Sequence, residues 1–216
     1  MKSFAHYRAR LSSMDFFDYL NHALIFVSQL KGQLFYAKVF GAFGRRSWLK
    51  KPDQIYGASR IFIADDVRIE KGAVLYAVRN YSEDDYEGRI IIGRGSFLNR
   101  YFNASSAIGI EIGEDVAFGS NVFLCDYDHD YSDPRVGRIA SKLIIKGPIK
   151  IGDRCWLGAN VYVASGVELG EGCVVGANSV VTKSFPANTV LAGAPAKAVR
   201  NWCSETGQWL RTPKDY

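Results

Sequence analysis

One six-residue pattern repeats without a gap from residue 145 to residue 186. Each hexad opens with an aliphatic residue, and in most of them Gly or Ala follows it, as at Ile151, Leu157, Val163, Leu169 and Val175, whereas Thr182 follows Val181. The fifth position is small or apolar throughout: Ile149, Cys155, Val161, Val167, Cys173, Ser179 and Phe185. No helix has a period of six, and a free strand alternates every two residues. Two inward positions in every six residues therefore predict short strands and corners stacked as a parallel β-helix.

The composition is that of a soluble globular protein with one sizeable core and a small appendage. The chain has 216 residues, of which 48% are hydrophobic and 23% charged, ordinary values for this class. A net charge of +5 suits anionic partners,. No arginine-rich arm and no zinc-finger spacing is present in the sequence, so we expect no nucleic-acid partner.

The four cysteines do not form the pattern of a disulfide-stapled protein,. Cys155 and Cys173 are three hexads apart, so a three-sided coil would stack them on neighbouring turns. Buried thiols that fill the core are favoured over a disulfide there. The C-x-x-C pattern is absent, and no metal is expected. The polar, basic start MKSFAHYRARLSS does not resemble a signal peptide,, so the predicted location is the cytoplasm, at the inner face of the membrane if the N-terminal segment touches lipid.

The pattern divides the chain into three parts. Residues 1–52 form an N-terminal helical segment, residues 53–198 the β-helix, and residues 199–216 a C-terminal tail. Two loop excursions, 79–91 and 125–144, interrupt the hexads. Loops that leave a regular scaffold tend to hold functional residues.

Residues 14–43 have an apolar stripe at steps of three and four residues, which predicts a helix: Phe16, Leu20, Ala23, Val27, Leu30, Leu34 and Ala37,. Two uses stay open. The stripe could pack on the end of the β-helix as a cap. Alternatively, the helix could make a peripheral contact with anionic lipid, helped by nearby basic residues such as Arg45 and Arg46.

The second excursion contains the sequence CDYDHDYSDPRVGR around His129, the only histidine outside the N-terminal segment. Three interpretations fit this stretch. His129 is a solvated loop residue, a general base whose imidazole takes a proton from an alcohol, or a neighbour of a cation site built by the aspartates. Neighbouring carboxylates would raise its pKa or fix its tautomer.

The hexads, the His129 loop and the ending WLGANVYVASGVELGEGCVVGANSVVTKSFPANTVLAGAPAKAVR together resemble the hexapeptide-repeat acyltransferases. The most similar groups are the galactoside, maltose and xenobiotic O-acetyltransferases and the enzymes that acetylate lipopolysaccharide and capsule sugars. The resemblance implies an all-β fold, a left-handed parallel β-helix of hexapeptide repeats. It also implies a homotrimer, acetyl-CoA as co-substrate, and an active site between adjacent subunits.

The resemblance also assigns roles to residues of this chain. It places His129 as the catalytic base, and Asn99 in SFLNRYFN beside the acceptor, where we also expect Asp128. It predicts a coenzyme A site lined by these residues: Trp156, Ala159, Ala177, Thr182, Lys183, Lys197 and Arg200. The departures are Tyr127, where several relatives have a second histidine, and Asp130, where others have a proline. Both leave the shape of the acceptor pocket open.

The predicted function is acetyl-CoA-dependent O-acetylation of a sugar hydroxyl in surface polysaccharide or lipopolysaccharide biosynthesis. The acceptor is a carbohydrate that can be lipid-linked. The alternative is an N-acetyltransferase acting on an amino sugar or a nucleotide-linked amino sugar. A metal-dependent hydratase would need three histidines on neighbouring coils, whereas His6 and His22 lie in the N-terminal segment. A non-catalytic interaction protein is the remaining class.

Overall fold

The computed structural model describes residues 16–137, 139 and 141–212. Their main body is a three-sided coil whose sides are three sheets of parallel strands. Sheet A contains β1 (Ala42–Phe43), β4 (Ile61–Ile63), β9 (Ile90–Ile92), β12 (Ile110–Ile112), β17 (Ile149–Ile151) and β20 (Glu168–Leu169). Sheet B contains β2 (Trp48–Leu49), β5 (Arg68–Ile69), β10 (Phe97–Leu98), β13 (Ala117–Phe118), β18 (Trp156–Leu157), β21 (Val174–Val175), β23 (Thr189–Ala192), β24 (Lys197–Cys203) and β25 (Gln208–Arg211). Sheet C contains β3 (Gln54–Tyr56), β6 (Val74–Ala77), β11 (Asn103–Ser106), β14 (Phe123–Cys125), β19 (Tyr162–Val163) and β22 (Val180–Val181).

The hexads fill the inside of this coil as predicted. Both inward positions of the hexads are buried from Ile149 to Phe185. Cys155 and Cys173 lie on adjacent coils as free, buried thiols, so the prediction of core thiols is confirmed. The aliphatic residues form one continuous core that runs from the first coil to Leu191.

The corners between sheets B and C use asparagine at positions that need a left-handed backbone. Asn121, Asn160 and Asn178 have φ of 59°, 58° and 59°, a region that asparagine tolerates better than most residues. Their side chains form a ladder from coil to coil, with Nδ2 of Asn121 donating to Oδ1 of Asn160 at 3.0 Å and Nδ2 of Asn160 donating to Oδ1 of Asn178 at 2.9 Å. The ladder aligns the coils along this edge.

The N-terminal helix ends earlier than predicted, and the coil starts earlier. The helix comprises α1 (Phe16–Lys31), a π-helical turn (Gly32–Tyr36) and α2 (Ala37–Val39). Residues 14 and 15 lie outside the described residues. Ala42–Phe43, predicted to be helical, is already a strand that pairs with β4. The division of the chain at residues 53 and 199 stays a prediction, although the parallel strands begin before residue 53.

The apolar stripe of the helix does not pack on the coil, so the capping interpretation is wrong for that stripe. The first coil is closed by a different group: Tyr36, Phe40 and Phe43 are buried with ring centroids 5.5–5.7 Å apart. Gly32 allows the close approach, since a Cβ there would lie 2.5 Å from Cε1 of Phe43. None of the helices in the described ranges has the length and hydropathy needed to cross a bilayer.

Two hairpins leave the coil after strands of sheet C. The first contains β7 (Asn80–Tyr81) and β8 (Asp84–Asp85), and the second contains β15 (Asp128–His129) and β16 (Leu143–Ile144). They fall within the predicted excursions. A short 3-10 helix (Ala58–Arg60) links the first two coils. At the far end, β24 and β25 extend sheet B in antiparallel fashion.

Candidate active site

His129 is exposed on the second hairpin, at the edge of sheet C. Its backbone pairs with Leu143 on the returning strand. The hairpin is thereby fixed at both ends, because Leu143 is itself buried. An exposed imidazole on a paired strand is accessible to a substrate while its backbone is held in place.

Asp126, three residues before His129, fixes the base of this hairpin. Its side chain is fully buried. It accepts hydrogen bonds from the backbone N–H groups of Ala107, Ile108 and Gly109 at 2.6, 3.1 and 2.7 Å, and from Oγ of Ser106 at 2.7 Å. Burial raises the pKa of the Asp126 carboxyl, and these four hydrogen bonds oppose that rise,. The carboxylate therefore ties the start of the hairpin to the corner between β11 and β12.

The carboxylates of the second excursion do not form the predicted partner group for His129. Asp126 faces the corner described above. Oδ1 of Asp130 accepts from the backbone N–H of Ser132 at 2.8 Å, and Asp133 pairs with Arg135. These aspartates shape the turns of their own loop, as short polar side chains commonly do. Among the described residues, no cluster of three or more His, Cys, Asp or Glu could hold a metal ion.

Aromatic rings take the place of the carboxylates around His129. The ring of Tyr81, from the first hairpin, has its centroid 5.3 Å from that of His129, and the ring of Tyr127 lies at 6.5 Å. Tyr86 also joins the two hairpins, because its hydroxyl accepts from the backbone N–H of Leu143 at 3.2 Å. The two excursions thus pack against each other over a small apolar cluster.

The outer face of sheet C, beside this hairpin, presents hydroxyl groups and stacked rings. The Ser105 and Tyr127 hydroxyls are 2.6 Å apart, and the rings of Phe123 and Tyr162 stack at 5.6 Å. Burial raises the pKa of Tyr162 to about 12, with a further contribution from negative charge that includes Asp128. The phenols here are therefore neutral at physiological pH and can donate or accept hydrogen bonds.

Sheet C separates two of the predicted acceptor residues. Asn99 lies at the corner before β11, where its Oδ1 accepts from the backbone N–H of Arg100 at 2.8 Å. His129 lies beyond the opposite edge, after β14, together with the half-buried Asp128. Within one chain, the structure does not bring Asn99 and His129 together.

The predicted coenzyme residues occupy three regions. Ala159 and Ala177 lie at the same type of corner as Asn99, whereas the exposed Thr182 and Lys183 follow sheet C. The Nζ of Lys183 lies 5.5 Å from the ring centroid of Phe185. These four residues flank sheet C on its two sides and do not form one continuous pocket on a single chain.

Trp156 and Arg200 share the third region, the outer face of sheet B. The exposed Trp156 pairs with Val174, Val174 pairs with Val190, and Val190 pairs with Arg200. Arg200 in turn faces Arg211 on the last strand. Lys197 begins the same strand as Arg200 and is also exposed. The pairing thus places an aromatic ring and two guanidinium groups in one row.

A cavity of about 430 Å³ lies beside the first hairpin, outside the predicted site. Its lining is polar: Tyr56, Arg60, Arg79, Asn80, Asp85, Tyr86 and Glu87. Asn80 and Tyr81 are consecutive in a strand, so their side chains leave on opposite faces. Because Tyr81 contacts His129, this cavity is distinct from the space in front of the imidazole.

Sequence reasoning missed Tyr81, Tyr86 and the anchoring role of Asp126. The two tyrosines lie in the loop RNYSEDDYEGRII. The sequence shows that this loop is aromatic but not that it packs against the second hairpin. Asp126 was noted only as one acidic neighbour of His129. Its position directly after the buried Cys125, at the end of an inward strand, is the signal that could have identified a buried carboxylate.

Comparisons with known proteins agree with this architecture. Residues 148–183 match the family model described as the hexapeptide repeat of succinyl-transferase. The chain is 40% identical over 118 residues to the putative lipopolysaccharide biosynthesis O-acetyl transferase WbbJ of Escherichia coli K12, covering 52% of this chain and 60% of that protein. It is 36% identical over 113 residues to the probable acetyltransferase Rv3034c of Mycobacterium tuberculosis, covering 52% of this chain and 35% of that one.

A solved structure shows the same fold. A variant of AntD, an N-acyltransferase from Bacillus cereus solved with dTDP and coenzyme A, superposes with a TM-score of 0.65 and 22% identity. The likeness covers 79% of this chain and 89% of AntD. The all-β prediction of a left-handed parallel β-helix is confirmed. The sequence matches are partial: the chain spans between about a third and three fifths of the length of these two curated relatives.

Proposed function

We propose, from the premise that this β-helix belongs to the hexapeptide-repeat acyltransferase family, that the protein transfers an acetyl group from acetyl-CoA to a sugar hydroxyl. The similarity to WbbJ favours an acceptor in surface polysaccharide or lipopolysaccharide biosynthesis. That acceptor can be free or attached to a lipid.

The observation that supports this reaction best is the presentation of His129. Its ring is exposed, its backbone is paired, and the hairpin is tied by a buried carboxylate to the preceding corner. A surface histidine with no role would not require such an anchor.

In the proposed reaction, His129 removes the proton of the acceptor hydroxyl as its oxygen attacks the thioester carbonyl carbon of acetyl-CoA. The tetrahedral intermediate then collapses, the carbon–sulfur bond breaks, and His129 returns the proton to the departing thiolate. The products are an acetyl ester and free coenzyme A. General base catalysis of this kind contributes roughly 10²–10⁴-fold to the rate.

A covalent acyl-cysteine does not fit the thiols of this chain. Burial raises the pKa of Cys125 to about 11, so it is a poor nucleophile at neutral pH. Cys155 and Cys173 point into the core. Cys203 lies on the terminal hairpin, at the far end of sheet B from the first coil. Direct transfer is the simpler reaction.

Coenzyme A would be held by the residues that the family resemblance assigns to it. We propose that Trp156 packs along the cofactor and that Lys197 and Arg200 approach its phosphates, because guanidinium and ammonium groups bind phosphate through charge-assisted hydrogen bonds. The row from Trp156 to Arg200 on sheet B supports this assignment. Ala159, Ala177, Thr182 and Lys183 would line the pantetheine arm.

We further propose that the working enzyme is a homotrimer in the cytoplasm. Asn99 and His129 lie beyond opposite edges of sheet C, so one chain cannot place both on the same acceptor. A neighbouring copy that presents its own Asn99 corner beside the His129 hairpin would complete the site.

The alternative function is N-acetylation of an amino sugar or a nucleotide-linked amino sugar. The structural likeness to AntD shows that the scaffold also occurs in an N-acyltransferase. Direct transfer by His129 would apply to an amine as well as to a hydroxyl.

The test is the turnover of acetyl-CoA with a panel of hydroxyl sugars, amino sugars and nucleotide sugars, followed by release of the coenzyme A thiol. Treatment of the product with hydroxylamine separates the two functions, because it cleaves an acetyl ester and leaves an amide intact. Ester products support O-acetylation, and amide products support the alternative. No thiol release with any acceptor would contradict both.

A further inference from the structure

The N-terminal helix exposes its apolar side and turns a polar seam toward the protein. Of the 22 exposed large apolar side chains among the described residues, eleven lie between Phe16 and Val39. They include five aromatic residues, with Phe16 exposed by 74% and Phe26 by 66%. The rest of the described chain, which is several times longer, has the other eleven. This segment is therefore unusual within its own protein.

The polar seam shows that this orientation is built into the sequence. Nε2 of Gln29 donates to the carbonyl oxygen of Arg46 at 3.0 Å, and Nε2 of Gln33 donates to that of Gly44 at 3.0 Å. Gly32 and Tyr36 continue the seam and are buried against the first coil. Residues three and four apart share one face of a helix, so the seam fixes which side faces outward. The outward side contains Phe16, Leu20, Val27, Leu30 and Leu34.

The charge of the chain is concentrated in the same region. Residues 1–51 contain nine Lys or Arg residues and two Asp residues, a net charge of +7. The remaining 165 residues contain 18 basic and 20 acidic residues, a net charge of −2. Arg45, Arg46 and Lys50 pair with Asp65, Asp66 and Glu70. The positive charge left in the N-terminal segment is therefore that of its six other basic residues, against two Asp.

We infer that this helix docks the protein on an anionic lipid surface. A helix that combines an apolar face rich in Phe and Leu with flanking Lys and Arg binds in the interface plane of a membrane, and anionic lipid strengthens the contact. The alternative partner for such a face is a second copy of the chain. Docking two identical helices would, however, bring two positively charged segments together, which like-charge repulsion opposes.

Sedimentation of the full chain with lipid vesicles tests the inference. We expect binding to vesicles of phosphatidylcholine mixed with phosphatidylglycerol to be at least about tenfold tighter than to phosphatidylcholine alone, at about 1 kcal/mol for each basic residue near the surface. High salt should weaken the difference, because it screens the headgroup charge. The assay contains neither acetyl-CoA nor acceptor, so its result is independent of the proposed acetyl transfer.

The variant that removes the apolar face combines Leu20→Gln, Phe26→Gln and Leu30→Gln. All three side chains are exposed, so circular dichroism should show an unchanged fold. We expect at least about tenfold weaker vesicle binding. Leu210→Gln is the matched control, since Leu210 is exposed on the terminal hairpin at the opposite end of the coil, and it should bind vesicles like the wild type.

Two results would overturn the inference. The first is equal vesicle binding by the triple variant and the wild type. The second is no vesicle binding by the wild type; a lower particle mass of the triple variant in light scattering would then assign the apolar face to a second copy.

Discussion

The buried carboxylate of Asp126 should be among the most sensitive positions outside the aliphatic core. In Asp126→Ala, the hydroxyl of Ser106 and the backbone N–H of Ala107 would lose their acceptor inside the protein. The N–H groups of Ile108 and Gly109 are only partly buried and can be reached by water. A buried donor left unsatisfied costs about 1–3 kcal/mol. We therefore expect a loss of about 3–5 kcal/mol in the free energy of unfolding.

Asp126→Asn separates the loss of charge from the loss of hydrogen bonds. With its carbonyl in the position of Oδ2, the amide keeps the bonds to Ser106, Ile108 and Gly109, and only the contact with Ala107 becomes a donor facing a donor. We expect this variant to lose about 1–2 kcal/mol, a smaller loss than that of the alanine variant.

Urea denaturation followed by circular dichroism measures both variants. Glu83→Ala, an exposed change in the first hairpin, serves as the control and should stay within about 0.5 kcal/mol of the wild type. If Asp126→Ala unfolds within about 1 kcal/mol of the wild type, Asp126 does not anchor the hairpin in the way described.

Two further predictions concern the thiols and the corners of the coil. Hydrogen bonding to Thr206 lowers the pKa of Cys203, whereas burial raises that of Cys125 to about 11. A thiol reagent near neutral pH should therefore modify Cys203 first, and Cys203→Ser should remove this fast phase. Labelling of Cys125 should keep increasing as the pH rises toward 11. A fast phase that persists in Cys203→Ser would contradict this order. In Gly158→Ala, the new Cβ would lie 2.6 Å from the backbone nitrogen of Ala177 on the next coil. We therefore expect a loss of about 1–3 kcal/mol in the free energy of unfolding and a melting temperature lower by about 2–12 °C. Gly137→Ala, which meets nothing within 4 Å, should melt like the wild type, and equal melting of the two variants would refute the packing argument.

The six-residue period determined most of the fold, because each hexad specifies two inward positions. The same step was present earlier than predicted: Phe43, Leu49 and Ile55 are also six residues apart. The Arg and Lys residues between them hid the pattern, since they lie at corners and on outer faces, where charge is tolerated.

The orientation of the N-terminal helix could not be predicted from its stripe. Periodicity shows that one face is apolar but not whether that face meets the protein or something else. In the structure, contacts of Gln29, Gln33 and Gly32 with the first coil fix the orientation of the helix. These contacts form only once the first coil has folded. The reason is physical: a lone helix has the same stripe whichever side is buried.

Site residues that stand out in the sequence itself were predictable, whereas contacts that form only when the coils stack were not. His129 was visible as a single histidine in an excursion from the hexads. Tyr81 meets it only because the two hairpins leave the same side of the coil, after β6 and β14, with the strand β11 between them. The assignment of Asn99 to the acceptor, and of Trp156 and the other residues to the coenzyme, stays a prediction, since it depends on how copies of the chain associate.

The most direct test of the central claim is the rate of thiol release from acetyl-CoA by the His129→Asn variant, measured with the acceptor that the panel identifies. Asparagine keeps a similar size and polarity but cannot act as a base. His22→Asn is the matched control, because His22 is also exposed and lies on the N-terminal helix. We expect kcat to fall by about 10²–10⁴-fold in His129→Asn and to stay unchanged in His22→Asn. Equal kcat values for His129→Asn and the wild type, with both proteins folded, would contradict it.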